Sequence, residues 1–304
     1  MSNFMLLVCC LLAGLLLRRS GRVPEGAHAT LNTVIIYLAL PAVTLHTLHS
    51  FRFDASQLWP VLMPWALFGI GAATFWLVGR WLGLSRASIG ALTLVGGLGN
   101  TSFVGLPMIE SLQGRDGLGL GLLIDQLGSY LVLSTVGVFV AAIYAAERQS
   151  SLRATAMKVA TFPPFIALVA ALLLRSVAMP ADVDKVLVRM GDTLAPLALV
   201  SVGLQLRIDA IGQQIKLLGL GLGYKLLVCP ALVIAVLWLL DADIDMTTHV
   251  SVIEAAMPPM IGAGIVAAQA KLDAPLVSTL IGVGIPIGLA TAFGWHWLFI
   301  RLAT

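Results

Sequence analysis

Charge is what this sequence has least of. Of 304 residues only 11% are Asp, Glu, Lys or Arg, while 59% are hydrophobic. A soluble domain carries about 25% charged residues, so a water-facing surface of ordinary extent is excluded. The mean hydropathy of +0.98 fits a chain solvated by lipid. A net charge of +3 is no nucleic-acid footprint, and Lys and Arg are read loop by loop instead. Cysteine is scarce as well. Cys9, Cys10 and Cys229 all lie in apolar runs; an odd, buried set offers neither a disulfide framework nor metal-ligand spacing, and the three read as small hydrophobes. No Gly-Lys-Ser/Thr phosphate loop occurs, which argues against ATP-driven transport in this chain, and no Gly-x-Ser-x-Gly nucleophile motif occurs either. The sequence calls for no cofactor and no metal, and it reads as a non-enzyme.

What is present is a series of apolar stretches near the roughly 20 residues that cross a bilayer core. Ten are counted, at 1–17, 26–51, 55–79, 87–109, 126–146, 159–174, 193–206, 226–240, 255–270 and 274–300. Three extend past a single charge, Asp125, Lys225 or Glu254. The chain therefore reads as an all-α membrane protein of ten transmembrane helices with short loops. The first segment has no basic residue ahead of it and no small-x-small cleavage site, so it reads as a helix and not as a signal peptide. The odd-numbered loops hold eleven cations: Arg18, Arg19, Arg22, Arg80, Arg86, Arg148, Arg153, Lys158, Arg207, Lys216 and Lys271. The even-numbered loops hold five: Arg52, Arg115, Arg175, Lys185 and Arg189. The positive-inside rule then puts both termini outside the cytoplasm of a multi-pass plasma (inner) membrane protein.

The second half repeats the first. Shifted by 155 residues, Pro41 falls on Pro196, and Phe51-Arg52-Phe53-Asp54 aligns with Leu206-Arg207-Ile208-Asp209. Two residues further along, Trp81 meets Trp238, Gly105 meets Gly262 and Asp116 meets Asp273. The units are residues 1–150 and 151–304, each with five helices. An odd number makes the two copies lie oppositely in the membrane, as in many secondary transporters.

In such proteins the site is marked by Gly/Pro-interrupted helices at matching positions of the halves. Here they are the fourth segment, Gly96-Gly97-Leu98-Gly99-Asn100-Thr101-Ser102-Phe103-Val104-Gly105-Leu106-Pro107, and the ninth, Glu254-Ala255-Ala256-Met257-Pro258-Pro259-Met260-Ile261-Gly262-Ala263-Gly264. Glycines and prolines at mid-depth unwind a helix, and broken backbone is tolerated in a bilayer only inside protein or along a water-filled cavity. The freed helix N-termini suit a carboxylate. Isolated glycines would merely let helices pack closely; two clusters at equivalent positions favour a site.

The stretch GNTSFVGLP, the proline break of the ninth segment and the run KLDAPLVSTLIGVGIP resemble the auxin efflux carrier family, especially its bacterial members. The resemblance covers nearly the whole chain. It implies the fold of the bile-acid-symporter-like carriers: a scaffold of helices 1, 2, 6 and 7, and a transport domain of helices 3–5 and 8–10. It further implies that helices 4 and 9 cross as broken helices, that transport is elevator-like, and that scaffolds form a homodimer. By position the carboxylate-binding asparagine is Asn100, with Pro107 and Pro258 or Pro259 at the crossing; Gly99, Thr101, Ser102 and Met257 complete the expected substrate site. The sequence departs from plant members in lacking their long central hydrophilic loop, and in carrying Met257 near the second break, where they tend to show an asparagine.

Ionisable residues within membrane segments are functional candidates by default. Asp125, followed by Gln126 and Ser129, either exchanges a proton, helps to hold a cation, or ties the fifth helix to a neighbour. Glu254, just before the second break, has the stronger case for ion coupling. Lys225 snorkels, pairs with an acid or attracts an anion. His46 and His49 lack further ligands at helical spacing and read as interfacial polar residues. Trp59, Trp65, Trp76, Trp81, Trp295 and Trp297 read as interfacial anchors. The leading expectation is a secondary or facilitative carrier of a small organic anion, with a proton as the coupling ion. A sodium symporter with oxygens from Glu254, Gln126 and Gln269 is the alternative, and a membrane-embedded sensor the third reading. The expected partners are a carboxylate, the bilayer and a second copy of the chain.

Overall fold

A computed structural model describes residues 2–24, 26–51, 54, 57–145, 157, 160–205 and 214–302. Most of the aligned 51–54 and 206–209 quartets lies outside this set, as do residues 147–155 that join the halves, and Arg148, Arg153, Lys158 and Arg207. Among the described residues the architecture is all-helical. In chain order the helices are α1 (Ser2–Arg19), α2 (Ala27–His49), α3 (Leu58–Trp81), α4 (86–96), α5 (101–113), α6 (Arg115–Tyr144), α7 (Pro163–Leu173), α8 (Ala181–Gln205), α9 (Ile215–Leu239), α10 (Met246–Ala255), α11 (Ile261–Gln269) and α12 (Ala274–Leu302). Six of them, α2, α3, α6, α8, α9 and α12, are long and apolar enough to cross a membrane. The fourth apolar segment is split into α4 and α5, and the ninth into α10 and α11. None of these four halves exceeds 13 residues, or about 20 Å of helix.

Prolines set the local geometry. Pro41, Pro107 and Pro230 each stand two residues beyond a widened π-type turn, at 35–39, 101–105 and 224–228. A proline has no N–H to give and its ring crowds the carbonyl four residues back; widening the preceding turn relieves that conflict. The carbonyl of Leu226, whose regular partner would be Pro230, accepts instead from Trp295 Nε1 at 2.7 Å. Trp65 Nε1 likewise donates to Leu127 O on α6 at 3.0 Å. These two tryptophans tie neighbouring helices together through their indole N–H groups. Trp76, Trp81 and Trp297 are exposed, as anchors require. A correction concerns Lys185 and Arg189, read as loop residues: the helix extends back to Ala181 and carries both.

The helices pack in two groups. α1 lies along the second half of α8, and α2 packs on α7 and α8. Gly14 and Gly203 make the first contact possible, because a Cβ on either would meet the facing backbone: Gly203 Cα is 2.9 Å from the position a Gly14 Cβ would take. Small residues substitute here for a hydrophobic driving force that lipid does not supply. His46 Nδ1 pairs with Asp184 at 2.6 Å and His49 Nε2 donates to Val177 O at 2.9 Å. Both histidines tie α2 to its neighbours. The second group is α3 with α6, α9 with α10 and α12, and the broken helices between them.

Candidate functional site

The two breaks cross and are hydrogen-bonded to each other. Gly99 and Pro259 form an isolated antiparallel bridge, with Asn100 N donating to Pro258 O at 2.7 Å and Met260 N to Leu98 O at 3.0 Å. This is how unwound backbone is satisfied away from water: each break supplies the partners of the other. Proline cannot donate, so the pairing falls to Met260 N and to the carbonyl of Pro258. Widened turns at 92–96, 101–105, 124–130 and 224–228 lie on the surrounding helices, and such turns are frequent at functional sites.

Asn100 starts α5. Its Oδ1 accepts from Phe103 N at 3.2 Å, an N-cap, and its carbonyl accepts from Gly105 N at 3.0 Å. Its Nδ2 is buried with no hydrogen-bond partner among the described residues. Half of the amide therefore holds the helix end, and the other half is an unused donor. Thr101 Oγ1 donates to Asp125 Oδ1 at 2.6 Å. The fourth segment and Asp125 are thus joined through Thr101.

Glu254 ends α10, with both carboxylate oxygens buried and without a hydrogen-bond partner among the described residues. It is pressed against Gly105 and lies near Gly121; any larger residue at 105 would occupy its place. The charges acting on it are Asp125 and Lys225. Lys225 is buried and donates from Nζ to Ala255 O at 2.9 Å. A Cβ at Gly99 would stand 3.0 Å from that Nζ, so the glycine admits the ammonium to the crossing. Thr101, Ser129, Lys225 and Glu254 line a cavity of about 10 Å³ together with Gly97 and Gly99. That is room for about one water molecule. None of its lining residues belongs to α1, α2, α7 or α8.

Gln126 goes elsewhere. Adjacent to Asp125 in sequence, it turns to α2 and donates from Nε2 to Thr44 Oγ1 at 2.7 Å. It does not line the charged cavity. On the α2 side a larger cavity of about 380 Å³ opens between α2, α5, α6 and α8, lined by Val43, Thr47, Pro107, Glu110, Arg115 and Asp192 among others. Arg115 bridges to Asp192, and its Nε is 3.7 Å from Glu110. Sequence reasoning missed Thr44, Gly121 and this ion pair. An isolated threonine in an apolar helix was the available signal for the first. Among the described residues no group of three or more His, Cys, Asp or Glu could hold a metal ion.

Comparison with known proteins places the chain. A family model described as membrane transport protein matches residues 1–296. An uncharacterized transporter of Methanothermobacter thermautotrophicus is 25% identical over 289 residues, covering 93% of each chain. Another, from Methanocaldococcus jannaschii, is 23% identical over 311 residues, covering 99% of each.

Proposed function

We propose that this chain, which belongs to the auxin efflux carrier family of membrane transport proteins, carries a small organic anion with a carboxylate group. The observation that carries the reading is the buried, unpartnered Nδ2 of Asn100 at the start of α5, beside an interlocked pair of broken helices. A neutral amide donor at a helix N-terminus binds a carboxylate without bringing a counter-charge of its own. The expected substrate contacts are Asn100, Thr101, Ser102, Gly99, Pro107, Met257, Pro258 and Pro259.

The coupling ion in this reading is a proton. Asp125, Glu254 and Lys225 bring two carboxylates and one ammonium into the interior, and one added proton makes the set neutral. A cavity of about 10 Å³ takes no hydrated cation, and Lys225 already supplies a positive charge there. The sodium alternative loses a ligand, since Gln126 is bonded to Thr44 on the far side.

Ten crossings in two inverted halves, residues 1–150 and 151–304, accommodate both helix groups: α1, α2, α7 and α8 as scaffold, α3–α6 and α9–α12 as a transport block that moves elevator-fashion. The termini lie outside the cytoplasm in the plasma membrane, and scaffolds pair as a homodimer. The test is a current screen on solid-supported proteoliposomes with a panel of carboxylates, with and without sodium or a pH gradient. Carboxylate currents that follow the pH gradient and ignore sodium are expected. Currents that require sodium, or none with any carboxylate, overturn the assignment.

A further inference from the structure

We infer that Gln126 and Thr44 form an interior latch that holds the transport block in its present register on the scaffold, with Arg115 and Asp192 as its outer half. The inference rests on the scaffold-and-block reading above. Around Thr44 the facing stretches of α2 and α6 carry the buried side chains Leu40, Val43, Leu118 and Leu122, while polar groups (His46, Thr47, Arg115 and Asp116) gather at the cavity end of the seam. Into that seam Gln126 projects a fully buried amide. Thr44 Oγ1 already donates to Leu40 O at 2.7 Å, so its lone pairs are what Nε2 of Gln126 meets at 2.7 Å. The direction of the bond is fixed.

Stability alone does not account for this amide. Its Oε1 is buried with no partner among the described residues, and a buried acceptor left unsatisfied costs more than the one bond returns. A leucine would fill the space at less cost. A polar group kept in an apolar interface specifies register, as a single buried asparagine does in a coiled coil. A second and independent bridge leaves the same helix eleven residues earlier, where Arg115 reaches Asp192 on α8. Eleven residues are about 16 Å of helix, so the two attachments hold α6 at two depths and fix both its height and its tilt. A hydrogen bond is lost once the atoms separate beyond about 3.5 Å, so any displacement of the block breaks both.

The test uses the full chain in nanodiscs, with Cys9, Cys10 and Cys229 replaced by alanine and spin labels on Leu82→Cys (block) and Arg22→Cys (scaffold). Pulsed electron resonance reads the distance populations. Wild type is expected to show two distances, and Thr44→Val or Gln126→Leu to lower the ratio of resting to displaced register about fivefold, the ratio for one buried hydrogen bond. The double variant should add nothing further, Thr44→Ser should restore the wild-type ratio, and the exposed Asp192→Asn should shift it in the same direction. Two distances whose ratio ignores every variant overturn the latch alone. Additive effects of Thr44→Val and Gln126→Leu also overturn it. A single distance in all proteins overturns the scaffold-and-block reading and the latch with it.

Discussion

Substituting Gly105 by alanine should reverse its effect on stability according to what stands at position 254. Gly105 has φ −63 and ψ −55, a helical conformation that alanine adopts freely. In an open helix the exchange would stabilise by about 1 kcal/mol. Here the added Cβ falls on Glu254 Oε2 and comes within 2.9 Å of Cδ and Oε1. Glu254 is buried, and the adjoining cavity of about 10 Å³ gives its carboxylate nowhere to retreat. Overpacking of this kind costs about 1–3 kcal/mol, so Gly105→Ala should be neutral to about 2 kcal/mol destabilising in the native background. With Glu254→Ala the obstacle is gone and the gain of about 1 kcal/mol returns. The coupling energy between the sites is then about 1–3 kcal/mol, or several degrees in the apparent Tm at about 2 °C per kcal/mol. Thermal unfolding of the four proteins in one detergent, followed by tryptophan fluorescence, measures it. If Gly105→Ala raises the melting temperature equally in both backgrounds, the Glu254 carboxylate does not rest against Gly105, and the geometry of the charged cavity is wrong.

Three further outcomes are expected. Asn100→Asp keeps an oxygen to cap α5 but loses the Nδ2 donor and buries a further carboxylate, so it should abolish carboxylate binding and lower stability; Asn100→Ala should lose binding and about 1 kcal/mol of cap, and tight binding by either variant would refute the donor role. Asp125→Asn and Glu254→Gln should each remove the dependence of substrate current on the pH gradient, Glu254→Gln more completely, and unchanged gradients in both would leave these carboxylates a structural role. Gly14→Ala and Gly203→Ala should each destabilise strongly, by about 2 kcal/mol or more, because the obstructing atoms are backbone; melting temperatures within a degree of wild type would contradict the α1–α8 contact.

The breaks were legible because glycine and proline act locally: four glycines and a proline in twelve residues, or two adjacent prolines, have one reading inside an apolar segment. Asp125, Glu254 and Lys225 were legible for a similar reason, since a charge in such a run stands out whatever surrounds it. Direction was not legible. Asp125 and Gln126 are neighbours in sequence, yet about 100° apart around a helix, and one meets Thr101 while the other meets Thr44. Nothing in a single apolar stretch says which azimuth faces which neighbour. The helix-to-helix bonds of Trp65 and Trp295 were missed because distance from a segment end says nothing of an indole's partner. The better signal was Pro230, which leaves the carbonyl of Leu226 in need of a donor, and the indole N–H of Trp295 supplies it.

The placement of polar groups bears directly on motion. The carboxylates of Asp125 and Glu254 and the ammonium of Lys225 are enclosed by α3, α5, α6, α9 and α10, helices of the proposed block alone. In the proposed elevator, a charge that travels with its own surroundings is not dragged across an apolar wall, so its desolvation, several kcal/mol per ion, would be the same at both ends of the movement. What crosses the wall at depth is a neutral amide on a hydroxyl, worth about 1 kcal/mol. The charged tie from Arg115 to Asp192 crosses where both side chains are about half exposed, and water replaces the partner as it leaves. The polar ties described between the two groups are thus neutral or solvent-screened, and the buried charges lie within the proposed block. That arrangement permits sliding at low cost, whereas charges shared across the seam would have welded it. Moving one member of the charged set to the scaffold side tests the point: Glu254→Gln combined with Thr44→Glu should leave the fold assembled and stop substrate current, and a double variant that transports at the native rate would refute it.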